Sequence, residues 1–172
     1  NRMPTLNGMS SDGSPYEGIL YAGIMLTQQG PKVIEFNCRF GDPETQVVLP
    51  CLSTDLVDII HNTVTNNLEN TSIDLLDNTA ITVVIASKGY PGTFKKGIEL
   101  PLLNKFDEED NIIIFHSGTE KNDNKDLISS GGRVLSITAI GENVQECRQK
   151  AYKAVKEINW DKGFFRSDIG KL

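Results

Sequence analysis

Apolar residues along this chain come in short runs, each closed by a cluster of Gly, Pro, Asn, Asp or Ser. A chain built this way makes short strands joined by tight turns, not a helical bundle. Tyr16 to Leu26 and Lys32 to Phe40 are two such runs. The turn Gln28-Gln29-Gly30-Pro31 between them is short enough to require an antiparallel hairpin. Ala80 to Ala86, Ile112 to His116 and Arg133 to Ile140 read as further strands, and Ile98 to Leu103 as a short one. Helical spacing is clear in one place, where Val144, Cys147, Ala151, Ala154, Val155 and Ile158 form a single stripe behind an Asn143/Glu146 capping box. Cys147 on that stripe is expected to be core. A second helix is expected from a Thr54 cap, with Leu56, Val57, Ile60, Val64 and Leu68 inward and His61 solvated. The opening stretch to Pro15 shows no period. The class that follows is α+β with mainly antiparallel sheet.

The polar, turn-rich stretch from Asn66 to Asn78 divides the chain, so a boundary is placed at 77/78. At 172 residues, with 38% hydrophobic and 23% charged, the protein can bury a core without disulfides. Cys38, Cys51 and Cys147 fit neither a metal knuckle nor a redox pair, and a reducing, intracellular compartment is expected. A formal charge of −6 argues against a nucleic-acid partner or a polybasic membrane surface. No apolar run reaches the roughly 18 residues of a membrane span.

One segment carries unusual chemistry: Glu35-Phe36-Asn37-Cys38-Arg39-Phe40-Gly41-Asp42-Pro43-Glu44. Strand alternation sets Glu35, Asn37 and Arg39 on one side and Phe36, Cys38 and Phe40, a core-like face, on the other. A carboxylate, an amide and a guanidinium then share a wall. Mg²⁺ takes hard oxygen ligands, and an arginine beside it suits a phosphate. The same spacing equally suits a Glu35–Arg39 ion pair on a solvated face. Beyond the strand, Asp42 reads as a helix N-cap, Pro43 as the first helical residue and Glu44 as a first-turn acid. No Walker-type phosphate loop is present.

Gly30 to Thr45 closely resembles the metal-binding strand of ATP-grasp ligases. The run Asp42-Pro43-Glu44-Thr45 narrows the resemblance to the glycinamide ribonucleotide synthetase (phosphoribosylamine–glycine ligase) family. Ala86-Ser87-Lys88-Gly89-Tyr90-Pro91-Gly92, His116-Ser117-Gly118-Thr119 and Gly131-Gly132-Arg133-Val134-Leu135 are similar to later segments of that family, in the right order. The resemblance implies a fold and a reaction. Residues 1–77 would be the C-terminal part of an ATP-grasp domain, and 78–172 a small β-rich C-terminal domain. ATP, glycine and 5-phosphoribosylamine would give glycinamide ribonucleotide, ADP and phosphate through glycyl phosphate, in the cytoplasm. It implies Glu35 and Asn37 as ligands of Mg²⁺ or Mn²⁺ and Arg39 as the catalytic holder of phosphate or acyl phosphate. Asp42, Glu44, Lys88 and Tyr90 would border the substrates. Ile19 to Leu26 lacks the second acidic metal ligand that many ATP-grasp relatives carry there. The family's N-terminal lobes would precede this chain, so the chain alone is expected to be inactive and to need those lobes, or fused purine enzymes, as partners. The alternatives are another ATP-grasp carboxylate–amine ligase, or a non-catalytic or partner-dependent module of that fold.

Overall fold

A computed structural model describes residues 2–171. In chain order the elements are α1 (Arg2–Ser11), β1 (Tyr21–Thr27), β2 (Gly30–Asn37), α2 (Thr45–Val48), α3 (Leu56–Val64), β3 (Thr79–Ser87), β4 (Ile112–His116), β5 (Thr119–Lys121), β6 (Leu127–Ser129), β7 (Arg133–Gly141), α4 (Val144–Ile158) and β8 (Gly163–Phe164). Every strand pairing is antiparallel. The chain divides into two compact units: Asn1–Gly41 with Leu52–Leu75, and Asp42–Cys51 with Leu76–Leu172.

The first unit holds the β1–β2 hairpin, α1 and α3. Leu52 bridges Leu75, and Thr54 Oγ1 accepts the Asp74 N–H at 2.8 Å, which ties the ends of its second segment together. Thr54 is therefore not the cap of α3. That role falls to Asp55, whose carboxylate accepts the Val57 N–H at 2.7 Å. The buried face of α3 is also not the expected one. Ile59 is buried, while Val57, Ile60, Val64 and Leu68 are exposed, and Leu68 lies in a separate 3₁₀ turn. The opening residues form α1, a helix with no apolar stripe to announce it.

The second unit is a four-stranded sheet in the order β4-β7-β3-β8, with α4 packed across β3 and β7. Register sets Val83 opposite Ile137 and Ile85 opposite Leu135, and these side chains meet Cys147, Ala151, Val155 and Ile158 of α4. Cys147 is fully buried, as its place on the stripe requires, and burial raises its thiol pKa. The other face of β7 is buried too: Val134, Ser136 and Thr138 are 1% exposed or less. There Thr138 Oγ1 donates to the Gln46 carbonyl of α2 at 2.9 Å and pairs with Thr82 Oγ1 at 2.9 Å. Residues Ile98 to Leu103 do not form a strand. They contribute a single bridge, Glu99 to Ile128, on the edge of the small β5–β6 hairpin.

Two positions show how closely this unit is fitted. A Cβ on Gly118 would fall 2.5 Å from Gly131 Cα and 2.6 Å from the Arg133 carbonyl oxygen. Backbone cannot yield there, so Gly118→Ala should cost about 1–3 kcal/mol or more, read as a lower urea midpoint by Trp160 fluorescence. At the start of α4, Asn143 Oδ1 accepts the Glu146 N–H at 3.0 Å, while the Glu146 carboxylate accepts the Glu142 N–H at 2.8 Å and pairs with Lys150. Lys150 and then the Glu142 N–H hold the Glu146 carboxyl below the usual glutamate range. Its contribution is therefore complete above the ordinary glutamate value and lost as the pH falls through the lower folded value. Glu146→Gln should flatten the acid limb of a stability–pH curve measured by urea unfolding, and leave the curve at neutral pH with its slope unchanged.

Candidate functional site

β2 runs antiparallel to β1 with Gly23 opposite Glu35 and Tyr21 opposite Asn37. The register slips between Gly23 and Ile24, a bulge beside the carboxylate. A Cβ at position 23 would lie 3.1 Å from Glu35 Cγ, a tight contact that the glutamate side chain would have to yield to. Glu35 and Asn37 share one face, and Asn37 Nδ2 donates to Glu35 Oε1 at 3.0 Å. The expected convergence of these two side chains is present.

Arg39 is not on that wall. β2 ends at Asn37, the chain bends, and the Arg39 guanidinium donates to the Phe40 carbonyl at 2.7 Å. Among the described residues Glu35 makes no ion pair, so the alternative Glu35–Arg39 pair is absent as well. Nor are Phe36 and Cys38 a core face: Phe36 is 44% exposed and Cys38 is exposed. A two-stranded ribbon has no second layer of its own, so alternation separates the faces without burying either.

Asp42 is not a helix cap. α2 begins at Thr45, and Glu44 takes the N-cap position, in helical conformation and without a side-chain cap bond. The Asp42 carboxylate is engaged elsewhere. One oxygen accepts Gln46 Nε2 at 3.0 Å and the other pairs with Arg133 Nη2 at 3.0 Å. Arg133 Nη1 also donates to the Asp42 carbonyl at 2.7 Å. Arg133 therefore grips Asp42 by backbone and side chain together. The sequence reading assigned Arg133 no role. The available signal was an arginine set between Gly131-Gly132 and a strongly apolar strand.

Lys88 and Tyr90 lie in the turn after β3. The Lys88 N–H donates to the Lys162 carbonyl at 3.0 Å, and Lys88, exposed, borders an open surface depression of about 420 Å³. Tyr90 lies over Gly132, where any Cβ would be 2.1 Å from the ring, and meets Phe94 edge-on at 6.2 Å. Tyr90 thus has a packing role that accounts for its place.

Among the described residues no three His, Cys, Asp or Glu side chains converge as a metal cluster, and no helix is long and apolar enough to cross a membrane. Glu35 and Asn37 still suit a hard cation. With Nδ2 turned to the glutamate, Asn37 Oδ1 keeps its lone pairs, and the exposed carboxylate has oxygens to give.

A hairpin that presents a carboxylate and an amide on one face is compatible with the ATP-grasp class, and the family match puts these residues in it. Residues 2–45 match the family described as Phosphoribosylglycinamide synthetase, ATP-grasp (A) domain. Residues 80–172, more than half of the chain, match Phosphoribosylglycinamide synthetase, C domain, and the chain belongs to the phosphoribosylglycinamide synthetase family. Among curated relatives, a phosphoribosylamine--glycine ligase of Brucella melitensis is 46% identical over 167 residues, covering 97% of this chain and 39% of the relative. The trifunctional purine biosynthetic protein adenosine-3 of Gallus gallus is 48% identical over 167 residues, covering 96% of this chain and 16% of the relative. Among solved structures, a phosphoribosylamine--glycine ligase from Thermotoga maritima superposes with a TM-score of 0.73 at 32% identity, over 95% of this chain and 40% of that one. The chain thus spans about 39% of the length of the ligase relatives it matches.

The Arg133 grip yields a test. Both partners are more than a third exposed, so the ion pair itself adds little. Arg133→Met should lower global stability by about 1 kcal/mol or less, yet speed amide exchange across Asp42–Cys51 measurably. Unchanged exchange in that segment would show that the arginine does not hold it.

Proposed function

We propose that this chain serves in the ATP-dependent ligation of glycine to 5-phosphoribosylamine, giving glycinamide ribonucleotide, ADP and phosphate through glycyl phosphate, in the cytoplasm. The observation that carries this reading is the meeting of Glu35 and Asn37 at 3.0 Å on one face of β2, within the residues that match the ATP-grasp description. In this reading Glu35 and Asn37 hold Mg²⁺ or Mn²⁺. That ion, when bound, would neutralise charge on the transferring phosphoryl group. Two protein ligands leave the remaining positions to phosphate and water, as Mg²⁺ prefers. Arg39, exposed beyond the end of β2, retains donors for a phosphate or acyl-phosphate oxygen. In this reading Asp42 and Glu44, in the segment that follows the strand, and Lys88 and Tyr90, in the turn after β3, border the substrates. For Asp42 this reading adds substrate contact to a carboxylate that already pairs with Arg133. Residues 1–77 would act as the end of the ATP-grasp domain and 78–172 as the C-terminal domain.

A second reading, a partner-dependent module, is favoured by the first unit's surface. Ile24, Met25, Leu26, Val33 and Ile34 of the hairpin are each more than half exposed, as are Val57 and Val64 of α3. So much apolar surface on a small unit suits a further protein surface over it. The two readings agree if the partner is the adenine-binding part of the same ligase.

Glycine- and phosphoribosylamine-dependent ADP release tests both, measured for the 172-residue chain alone and mixed with the N-terminal region of a full-length relative. Turnover is expected only in the mixture. Glu35→Gln should then lower kcat by about 100-fold or more at saturating Mg²⁺, with unchanged circular dichroism. Mn²⁺ should broaden the nuclear resonances of residues flanking Glu35 and Asn37 in the chain alone, and less so in Glu35→Gln. Wild-type kcat in that variant would remove Glu35 from the metal site.

A further inference from the structure

The four-stranded sheet of the second unit ends in two very different edges. β8, at one end of the order, is two residues long. A strand that short offers almost nothing to pair with. β4, at the other end, runs five residues, Ile-Ile-Ile-Phe-His, and no strand lies beyond it among the described residues. It carries neither a proline nor a lysine, residues that usually blunt such an edge.

Hydrogen bonding shows which groups of β4 are left over. The Ile140 N–H donates to the Asn111 carbonyl at 2.9 Å, and the Ser117 N–H to the Val134 carbonyl at 3.0 Å. With Ile113 opposite Thr138 and Phe115 opposite Ser136, Asn111, Ile113, Phe115 and Ser117 turn their backbone groups to β7. Thr138 meeting Thr82 by side chain across the β3 pairing fits the same phase, because pairs without ladder bonds bring side chains closest. Ile112, Ile114 and His116 therefore turn their backbone groups outward. The Ile112 N–H is taken by the Glu109 carbonyl at 3.0 Å. The Ile114 N–H and carbonyl and the His116 N–H have no hydrogen-bonding partner among the described residues.

Beside this edge runs an open depression of about 360 Å³. Ile112, Ile113 and Ile114 all border it, and consecutive strand residues share one wall only along a strand's edge. Leu103 and Phe106 give it apolar lining, while Asp107, Glu109 and Asp110, just ahead of β4, give it acids. Asp107 to Asp110 are four exposed acids in a row, and none makes an ion pair among the described residues. The nearby bases are committed elsewhere: Lys105 and Lys153 to Glu157, and Lys150 to Glu146. Nor do the acids form a metal cluster among the described residues. A strand laid along this edge finds free backbone donors and acceptors, and unpaired negative charge at one end.

We propose that β4 is a docking edge for an extended basic segment of another protein, which adds to the sheet as a fifth, antiparallel strand. Main-chain bonds to Ile114 and His116 supply affinity, and the acids select the segment. Antiparallel addition continues the pairing of the whole sheet and sets the segment's C-terminal end beside Asp107, Glu109 and Asp110, so its lysines or arginines follow its apolar residues. A second copy of this chain is the wrong complement, since it brings the same four acids and a formal charge of −6.

The test titrates the 172-residue chain with a short synthetic peptide of alternating valine and threonine that ends in lysines, and with a counterpart that ends in glutamates. Nuclear resonance shifts and amide exchange are read. In the free chain the Ile114 and His116 amides should exchange fast and those of Ile113 and Phe115 slowly. The lysine peptide at saturation should slow Ile114 at least about tenfold, and the glutamate peptide should leave it unchanged. Asp107→Asn with Glu109→Gln and Asp110→Asn should weaken binding of the lysine peptide about tenfold at low salt, and much less at about 1 M salt, where charge is screened. Ile114→Pro removes the outward N–H without touching the β7 ladder, and should abolish binding with circular dichroism unchanged. Equal binding of the two peptides, shifts centred away from β4, or an acid variant that binds like wild type would each overturn the proposal. If neither peptide binds, the acids only guard the edge and the proposal fails. A dimer in sedimentation equilibrium with Ile114 protected would make a second copy the occupant and overturn it. Protection of Ile114 on mixing with the N-terminal region of a full-length relative would overturn it too, by showing that the rest of the ligase covers β4.

Discussion

The second unit depends on burying β7 on both faces. Leu135, Ile137 and Ala139 meet α4, while Val134, Ser136 and Thr138 lie inaccessible on the opposite side. A helix on one face of a four-stranded sheet would leave the other face wet. Here the Asp42–Cys51 segment supplies the second cover, and the sheet accepts it through polar contacts: a threonine hydroxyl to the Gln46 carbonyl and an arginine to Asp42. Thr138 can be buried because the Gln46 carbonyl and Thr82 give its hydroxyl hydrogen-bonding partners. This is why a stretch that follows β2 directly in sequence belongs with residues far beyond it.

The first unit is built on the opposite terms. Its hairpin has no layer of its own, its apolar side chains are exposed on both strands, and α3 buries little besides Ile59. Stability from local burial is correspondingly small. The chemistry-bearing pair sits here, on a ribbon whose local geometry is nonetheless well defined. The strand pairing and the bulge beside Gly23 set where Glu35 leaves the backbone without any help from a core. Precision at this site comes from backbone hydrogen bonds and sterics, and the burial that stabilises the ribbon has to come from elsewhere.

Where a signal was local, the sequence carried it. β4 runs from Ile112 to His116 as its short β-branched run implied, β3 and β7 extend one residue or so past their expected ends, and the Asn143/Glu146 cap starts α4. The convergence of Glu35 and Asn37 follows from strand periodicity alone, and the family from long ordered motifs. Local reading failed where the sequence had no contrast to offer. α1 lacks a stripe, and β5, β6 and β8 are two or three residues each, too short for alternation to register. Thr54 and Asp55 are both good caps, and only the Asp74 N–H decides between them by claiming Thr54.

The remaining misses share a different cause. Whether Phe36 is buried depends on what lies over it, and periodicity assigns a face without assigning a cover. Asp42 in front of a proline and an acid has every local mark of an N-cap, worth on the order of 1 kcal/mol. It faces a guanidinium 91 residues away that offers two hydrogen bonds, one to its carbonyl and one to its carboxylate. A cap is worth little here, because the helix behind it is a single turn, and Asp42 is held instead by its carbonyl and carboxylate contacts to Arg133. The Asp42–Arg133 contacts cross 91 residues, so their meaning becomes visible only once the sheet has brought the partners together.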